Sequence, residues 1–371
     1  MRFIVRTSEL VKVVQSLSSV VPSKTTLEIL NNILFVLEGN MLKLTATDTE
    51  IFQTFNLEVD GVESGAMTVP AKILSSFLRE INDEVITFNA TGVRISLETK
   101  HGKFQISGEG AENFPLNPEV ENEVRLEIEP ETFKKAVDKV SFAVSTDTLR
   151  HALRGVFVEV SPEGVNFVAT DGTKLSKYLA KDAKFAGEKS VILPLKALTA
   201  ILRTMEISES SEFYIAKHHL IWKSENSELY SRIIEEQYPD YKRVIPNDND
   251  KKLTVNVTEL ASSLRRILIL SNSETHQVRM DLTENTLQVI TEDAQMGSYG
   301  QETIDCNYTN EEMEIGFNAT LLLDTLKRID TLNVTLNLKH PTGAVLLEPE
   351  NNDEAKDKFL MIAMPIRISS D

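Results

Sequence analysis

The chain has 371 residues, 41% of them apolar and 26% charged, with a formal net charge of −17. That length is too great for one ordinary core and fits two or three domains, in a composition typical of soluble globular proteins, while the acidity taken alone argues against nucleic acid. A single cysteine, Cys306, excludes an internal disulfide and fits a reducing cytosol, and no apolar run approaches the roughly 18 residues that span a bilayer.

The opening "MRFIVRTSELVKVV" turns polar by residue 6, so it reads as a short strand and a helix rather than a signal peptide. Over 8–18, Leu10, Val13, Val14 and Leu17 fall at i, i+3, i+4 and i+7, one apolar stripe of a helix. "NNILFVLEGNMLKLTATD" at 31–48 alternates about a Gly-Asn pair and predicts two strands joined by a tight turn. "TVPAKILSSFLREI" at 68–81 predicts a second helix over 71–81, with the stripe Ile73, Phe77, Leu78 and Ile81. Further strands follow at 85–98 and 102–107, then a polar connector near 116–125. The same order returns with helices over 130–140 and 195–205, a second connector near 244–252, and helices over 257–268 and 319–329.

These are three copies of one unit. "TVPAKILSSFLREI", "ILPLKALTAILRTM" and "GFNATLLLDTLKRI" begin at 68, 192 and 316, 124 residues apart both times. "FIVRTSELVKVVQSL" at 3–17 matches "LEIEPETFKKAVDKV" at 126–140 and "LTVNVTELASSLRRI" at 253–267. "LTATDTE", "FVATDGT" and, more faintly, "VITEDAQ" keep the same place in each copy, and "ENFP" at 112–115 matches "EQYP" at 236–239. Several matches in one register define a threefold repeat. The predicted fold is α+β, three similar domains over 1–120, 121–248 and 249–371, each with two helices packed on antiparallel sheets and about eight strands.

Charge follows the helices. Twelve basic residues and six acids lie on the six predicted helices, so these carry +6 and the remainder of the chain −23. Helices sharing one face would make a basic surface that attracts phosphates without reading sequence, although Lys and Arg also serve as helix formers on solvated faces. At the usual 8–10 Å helix spacing, six helices in a circle leave a hole of roughly 5–9 Å, whereas twelve from two chains leave roughly 20–28 Å. Only the larger opening passes a DNA duplex, which favours a head-to-tail homodimer with closed symmetry.

"FVATDGTKLSKY" at 167–178, "EQYPDYKRVIP" at 236–246, "MEIGFNATLLLDTL" at 313–326 and the terminal "MIAMPIRIS" resemble the bacterial sliding clamp family, the beta subunit of DNA polymerase III. The resemblance runs the full length. It implies the DNA clamp, or processivity, fold assembled as a ring homodimer, with helices inside and sheets outside. It also implies a non-catalytic role: encircling duplex DNA, tethering DNA polymerase III and other polymerases, and being opened by an ATP-driven clamp loader complex. Mismatch repair and ligase-type proteins would dock through short peptide motifs. The expected setting is the bacterial cytoplasm, on the nucleoid during replication, with no membrane partner, cofactor or metal.

The family's peptide pocket carries over to Leu153, Thr170, Gly172, Thr173, Lys174, Leu175, Pro239, Arg243, Val244, Ile362, Met364, Pro365, Ile366 and Arg367. Leu, Val, Ile and Met suit an adaptable apolar slot, and the arginines suit polar or acidic parts of a peptide. On local pattern alone, Asp171-Gly172 also reads as a tight hairpin turn and 361–368 as a terminal strand. Thr173-Lys174 stands where the family more often has His-Arg, Ile366 replaces a Met, and Ser369-Ser370-Asp371 extends past the usual end. For DNA, Lys24 and Lys72 match family contacts, and Lys196 and Arg203 follow by repeat equivalence. The loop at 145–155 offers Asp147, His151 and Ala152 where the family offers a Gln and two Tyr, which puts stacking there in doubt. The dimer joint matches Phe104 and Ile106 on one side and Ile269 and Leu270 on the other, positions that also read as core strands.

Enzyme signatures are absent: there is no phosphate-binding Gly-Lys loop, no H-E-x-x-H and no paired cysteine motif. Asp48, Asp171 and Asp293 recur across the repeats, as metal sites or as repeated turn chemistry. A hydrolase or lyase with a site between domains would need convergent acids, bases or ligands that the sequence does not display. A repeat scaffold with no DNA role is the remaining rival, and the segregated helix charge speaks against it.

Overall fold

A computed structural model of the chain describes residues 1–121, 123–186, 190–352 and 354–368. The tail Ser369-Ser370-Asp371 lies outside the described residues. Among these are six α-helices: α1 (Thr7–Ser18), α2 (Ala71–Arg79), α3 (Pro130–Ser141), α4 (Leu195–Met205), α5 (Val257–Leu268) and α6 (Ala319–Leu326). Antiparallel sheets of five, nine and twelve strands accompany them. The α+β reading and the repeated helix pair are thus present in the fold. The chain divides into two compact units, Met1–Pro130 with Phe185–Glu188 and Leu193–Ile233, and Glu131–Lys184 with Lys189–Ile192 and Ile234–Asp371.

In the first unit, strands Asn32–Glu38 and Met41–Thr47 pair as expected, Glu38 opposite Met41. Gly39, at φ 58°, takes the first central position of the turn, which a side chain would strain. The core centres on Phe88, stacked on Phe3 at 4.7 Å and Phe35 at 5.5 Å. Helix α1 buries Leu10, Val13, Val14 and Leu17, as its spacing predicts. Each such side chain contributes about 1.5–3 kcal/mol by leaving water.

Helix α2 departs from the predicted stripe. It buries Ala71, Leu74, Ser75 and Leu78, and leaves Ile73 53% exposed. Small residues Ala71 and Ser75 let the helix lie close on the sheet, so the inward face is turned one position from the most apolar one.

Between α1 and α4 lies a buried polar cluster. The Gln53 amide donates to Ser16 Oγ at 3.1 Å and Thr204 Oγ1 at 2.6 Å, and the two hydroxyls are 3.0 Å apart. All three side chains are at most 7% exposed, so each needs its partners inside the protein.

In the second unit, Phe133 of α3 meets Phe167 edge-on at 6.1 Å. Lys139, one of the twelve basic residues on the predicted helices, is buried. It pairs with Asp330 at 2.6 Å and donates to the Arg328 carbonyl, and Phe359 lies beneath its ammonium. Helices α5 and α6 are capped by Asn256 and Asn318, whose side chains accept from Glu259 N at 3.0 Å and Leu321 N at 3.1 Å.

One contact recurs in all three repeats. The residue at the head of the repeated phrase accepts a bond from a segment returning later in the same repeat. Glu109 N bonds to Thr68 O at 3.1 Å, Ile234 N to Ile192 O at 3.0 Å, and Ile366 N to Gly316 O at 2.9 Å.

Replacing Thr204 with Val removes one acceptor from Gln53 and the partner of Ser16 inside an apolar setting. The expected loss is about 1–3 kcal/mol, read as a lower urea midpoint with no loss of helix signal in the native baseline.

Candidate functional site

Residues 145–175, 234–245 and 344–364 converge in the second unit. Val168, Leu175, Ile192, Tyr238, Tyr241 and Ile362 form one buried apolar cluster, with Ala152, Leu153, Phe157, Ile245, Ala344 and Leu346 packed against it. Of the residues assigned to a peptide pocket, Leu153, Leu175 and Ile362 meet here directly. The strands beneath explain why: Lys174–Ala180 pairs with Lys358–Ala363, setting Leu175 opposite Ile362.

The aromatic floor was not assigned from sequence. Phe157 stacks on Tyr238 at 4.5 Å and meets Tyr241 edge-on at 6.1 Å. Tyr241 donates to Glu159 at 2.7 Å, and Lys242 reaches the other oxygen of that carboxylate at 2.8 Å. Burial, then the Glu159 bond, push the Tyr241 pKa up, so the phenol stays a neutral donor. The two tyrosines stand in the quoted "EQYPDYKRVIP", where their place beside Pro239 and Val244 was the available signal.

Around the cluster stand exposed members of the assigned set: Pro239, Arg243, Val244, Met364 and Arg367. Met364 is 45% and Val244 52% exposed, unusual for such side chains at the edge of an apolar cluster. Met364 N donates to Thr173 O at 3.3 Å, which joins the C-terminal segment to the 171–174 turn. Pro365 follows, and Ile366 lies further along, bonded to Gly316. Arg243 is paired with Asp240 at 2.8 Å.

The turn carrying Thr170, Gly172, Thr173 and Lys174 is held by Asp171. Its Oδ1 accepts from Thr173 N at 2.8 Å and Lys174 N at 3.0 Å, and Oδ2 pairs with Lys174 Nζ. Gly172 sits at φ 91°, a backbone state that favours glycine. The equivalent aspartates do the same work. Asp48 Oδ1 accepts from Ile51 N at 2.8 Å and its Oδ2 pairs with Lys196 at 2.5 Å. Asp293 Oδ1 accepts from Gln295 N at 2.9 Å. The recurrence of these acids is accounted for by turn chemistry.

The cations assigned to DNA are less uniform. Lys24, Lys72 and Arg203 are exposed, and no hydrogen bond or ion pair engages their side chains among the described residues. Lys196 is engaged by Asp48 and by Val20 O at 2.9 Å. Lys12, Lys134, Lys135 and Arg265 are also exposed and without an ion pair among the described residues. Arg266 is paired with Glu302, and Arg328 with Asp138, each at 2.5 Å. In the loop at 145–155, Asp147 pairs with Arg150 at 3.3 Å, His151 is exposed, and Ala152 packs on the apolar cluster.

Two apolar surfaces remain, one on each unit. On the first, Phe104 is 43% exposed and lies edge-on to Phe77 at 4.8 Å, with Ile73 exposed and Ile106 half-buried. On the second, Ile269 is 82% and Leu270 38% exposed, with Met296 and Tyr299 also exposed. Ile73 and Phe77 were read from sequence as part of a core-facing stripe, and Met296 and Tyr299 were not singled out.

Three models of DNA polymerase III beta subunit domains match the chain in order: the N-terminal domain over 1–118, the central domain over 127–240 and the C-terminal domain over 242–365. The beta sliding clamp of Vibrio cholerae is 27% identical over 99% of this chain and all of that one. That of Synechococcus elongatus is 29% identical over the full length of both. Among solved structures, the Bartonella birtlesii sliding clamp bound to griselimycin has a TM-score of 0.92 at 26% identity, covering 99% of this chain and 100% of that one. The Pseudomonas aeruginosa clamp bound to griselimycin has a TM-score of 0.88 at 27% identity, with the same coverage.

Burial raises the Asp171 pKa, but the bonds from Lys174 and Thr173 outweigh it and hold the carboxyl below its ordinary 3.8. A depressed folded pKa gives stability that is complete above the unfolded value and is lost as pH falls through the folded one. Acid titration of the 171–174 amides should therefore show the turn loosening only below about pH 4. Asp171→Asn should remove that transition and lower stability above pH 5, where the carboxylate's contribution is complete, with the difference from wild type fading as pH falls through the folded pKa.

Proposed function

The chain belongs to the DNA polymerase III beta subunit family of sliding clamps, and from that premise we infer that two copies close head to tail into a ring around duplex DNA. As a clamp it confers processivity on the replicative polymerase. The ring builds on three domains per copy, at 1–120, 121–248 and 249–371. The observation that carries the reading is the set of helix cations without an ion pair among the described residues, Lys12, Lys72, Lys134, Lys135, Arg203 and Arg265, drawn from α1 to α5 of a strongly acidic chain. An acidic exterior leaves a basic interior as the favourable place for a polyanion.

The mechanism is topological. A closed ring cannot leave the duplex sideways, so no single contact has to be tight, and weak water-bridged phosphate contacts permit sliding. Lys24, Lys72 and Arg203 make those contacts, and Lys196 joins them only when it leaves Asp48. The 145–155 loop, with Asp147, His151 and Ala152, bounds the DNA path without stacking on it. The joint sets Phe104, Ile106 and the adjoining Ile73 of one copy against Ile269 and Leu270 of the other. Clustered exposed apolar side chains of this kind support an interface.

Partners dock at the apolar cluster edged by Val244 and Met364. Short, partly hydrophobic peptides fill it, and Arg243 and Arg367 hold their polar or acidic parts. Griselimycin on two relatives supports a ligand site on this fold. Polymerases, the clamp loader complex, mismatch repair proteins and ligases take turns at this slot, in the bacterial cytoplasm at the nucleoid. The chain itself performs no chemistry and uses no cofactor.

In solution the particle should have twice the 41.6 kDa chain mass. Phe104→Ser with Ile73→Ser should shift it to the monomer in sedimentation. Loaded onto nicked circular DNA, the wild type should be retained, then lost when the circle is cut; equal retention on linear and circular DNA would rule out encirclement. Alanine at both Met364 and Pro365 should weaken griselimycin by about tenfold or more, measured calorimetrically, with the dimer intact. Unchanged affinity would remove the pocket assignment.

A further inference from the structure

Met364 and Pro365 stand between two anchors. Before them, Met364 N is bonded to Thr173 O at 3.3 Å; after them, Ile366 N is bonded to Gly316 O at 2.9 Å. Gly316 itself is buried, and its φ lies outside the left-handed region, so conformation alone does not call for glycine there. Space does. A Cβ at Gly316 would stand 2.8 Å from Ile366 O, 2.9 Å from Ile368 Cγ1 and 3.3 Å from Ile366 Cγ1. The nearest of these is backbone, which cannot turn aside as a side-chain end can.

The repeat explains why the glycine falls at this place. Position 316 corresponds to Thr68 and Ile192, and all three accept a bond from a returning segment. In the first repeat the room for that approach comes from the other side: a Cβ at Gly108, next to the bonding residue Glu109, would be 2.3 Å from Thr68 O. In the third repeat the returning segment carries Ile366 and Ile368, so the glycine sits on the receiving strand instead. This segment also borders an open groove of about 610 Å³ beside Met313, Glu314, His340 and Pro341.

We propose that Gly316 is a positioning residue for the peptide slot: its missing side chain lets Ile366 dock on its carbonyl, and this fixes Met364 and Pro365 as one wall of the slot. The inference rests on the peptide-slot reading above, and it adds that the slot's C-terminal wall is set from a strand carrying no assigned slot residue. Arg367, which follows the anchor, is placed by the same contact.

The test is Gly316→Ala in the full-length dimer, with griselimycin as the probe and hydrogen exchange as a second readout. The added Cβ should release the Ile366 amide, raising its exchange, and weaken griselimycin about tenfold while the dimer persists. Unchanged affinity with a released Ile366 amide overturns the proposal. The Met364 and Pro365 double alanine variant separates the two readings. If it loses griselimycin while Gly316→Ala keeps it, only the positioning role falls; if both keep it, the slot reading falls as well. Should the alanine variant fail to fold, the wild type decides. Saturating griselimycin should slow exchange at the Ile366 amide about fivefold or more, although that amide bonds to Gly316. No change there overturns the proposal too.

Discussion

In each repeat a backbone contact ties a late segment back to the strand that leads into the second helix: Glu109 to Thr68, Ile234 to Ile192, Ile366 to Gly316. A returning segment left unbonded at these points would bury an unpaired N–H, at a cost of about 1–3 kcal/mol. Once the bond is made, the residues just beyond it are placed. In the first repeat they lead to Phe114, which is buried. In the second they lead to Tyr238 and Tyr241 of the buried apolar cluster, and in the third the bond lies two residues beyond Met364. The same local rule, its acceptors 124 residues apart, thus serves plain packing once and twice borders the surface proposed for peptides.

The electrostatics follow a comparable division of labour. Several acids that could have neutralised the helix cations are engaged elsewhere. Asp171 and Asp293 close turns within their own repeats, and Glu159 is occupied by Tyr241 and Lys242. Where an acid does reach a helix cation, as Glu302 reaches Arg266, Asp48 reaches Lys196 and Asp138 reaches Arg328, that cation already has a protein partner. What remains is a sparse set of lysines and arginines held on stiff helices. Sparse, solvated charge suits a protein that must stay near a polyanion without gripping it.

Much of this was legible in the residues. All six helices lie within three residues of their expected bounds at either end, because a 3.6-residue apolar period over eight or more positions is hard to mistake. The repeat supplied each weak helix with two stronger copies. Legibility failed where packing between distant segments decided the outcome. Ile73 carries the apolar spacing of a core residue, yet Ala71 and Ser75 bring the neighbouring face of α2 onto the sheet and leave it outside. Lys139 reads as one more helix cation, yet Asp330 and the Arg328 carbonyl, 189 or more positions away, hold it inside. Leu153, Leu175 and Ile362, which meet in one apolar cluster, were singled out only through family resemblance. The aromatic floor of that cluster depends on Phe157 meeting Tyr238 from a strand some eighty residues earlier, and no local pattern encodes that stacking.

The account stands on cationic helix faces turned toward an opening large enough for a duplex. Projection images of the purified dimer test that most directly. A closed annulus with a central opening of roughly 20–28 Å is the expected particle. A filled globule, or an extended rod of two chains, would contradict it.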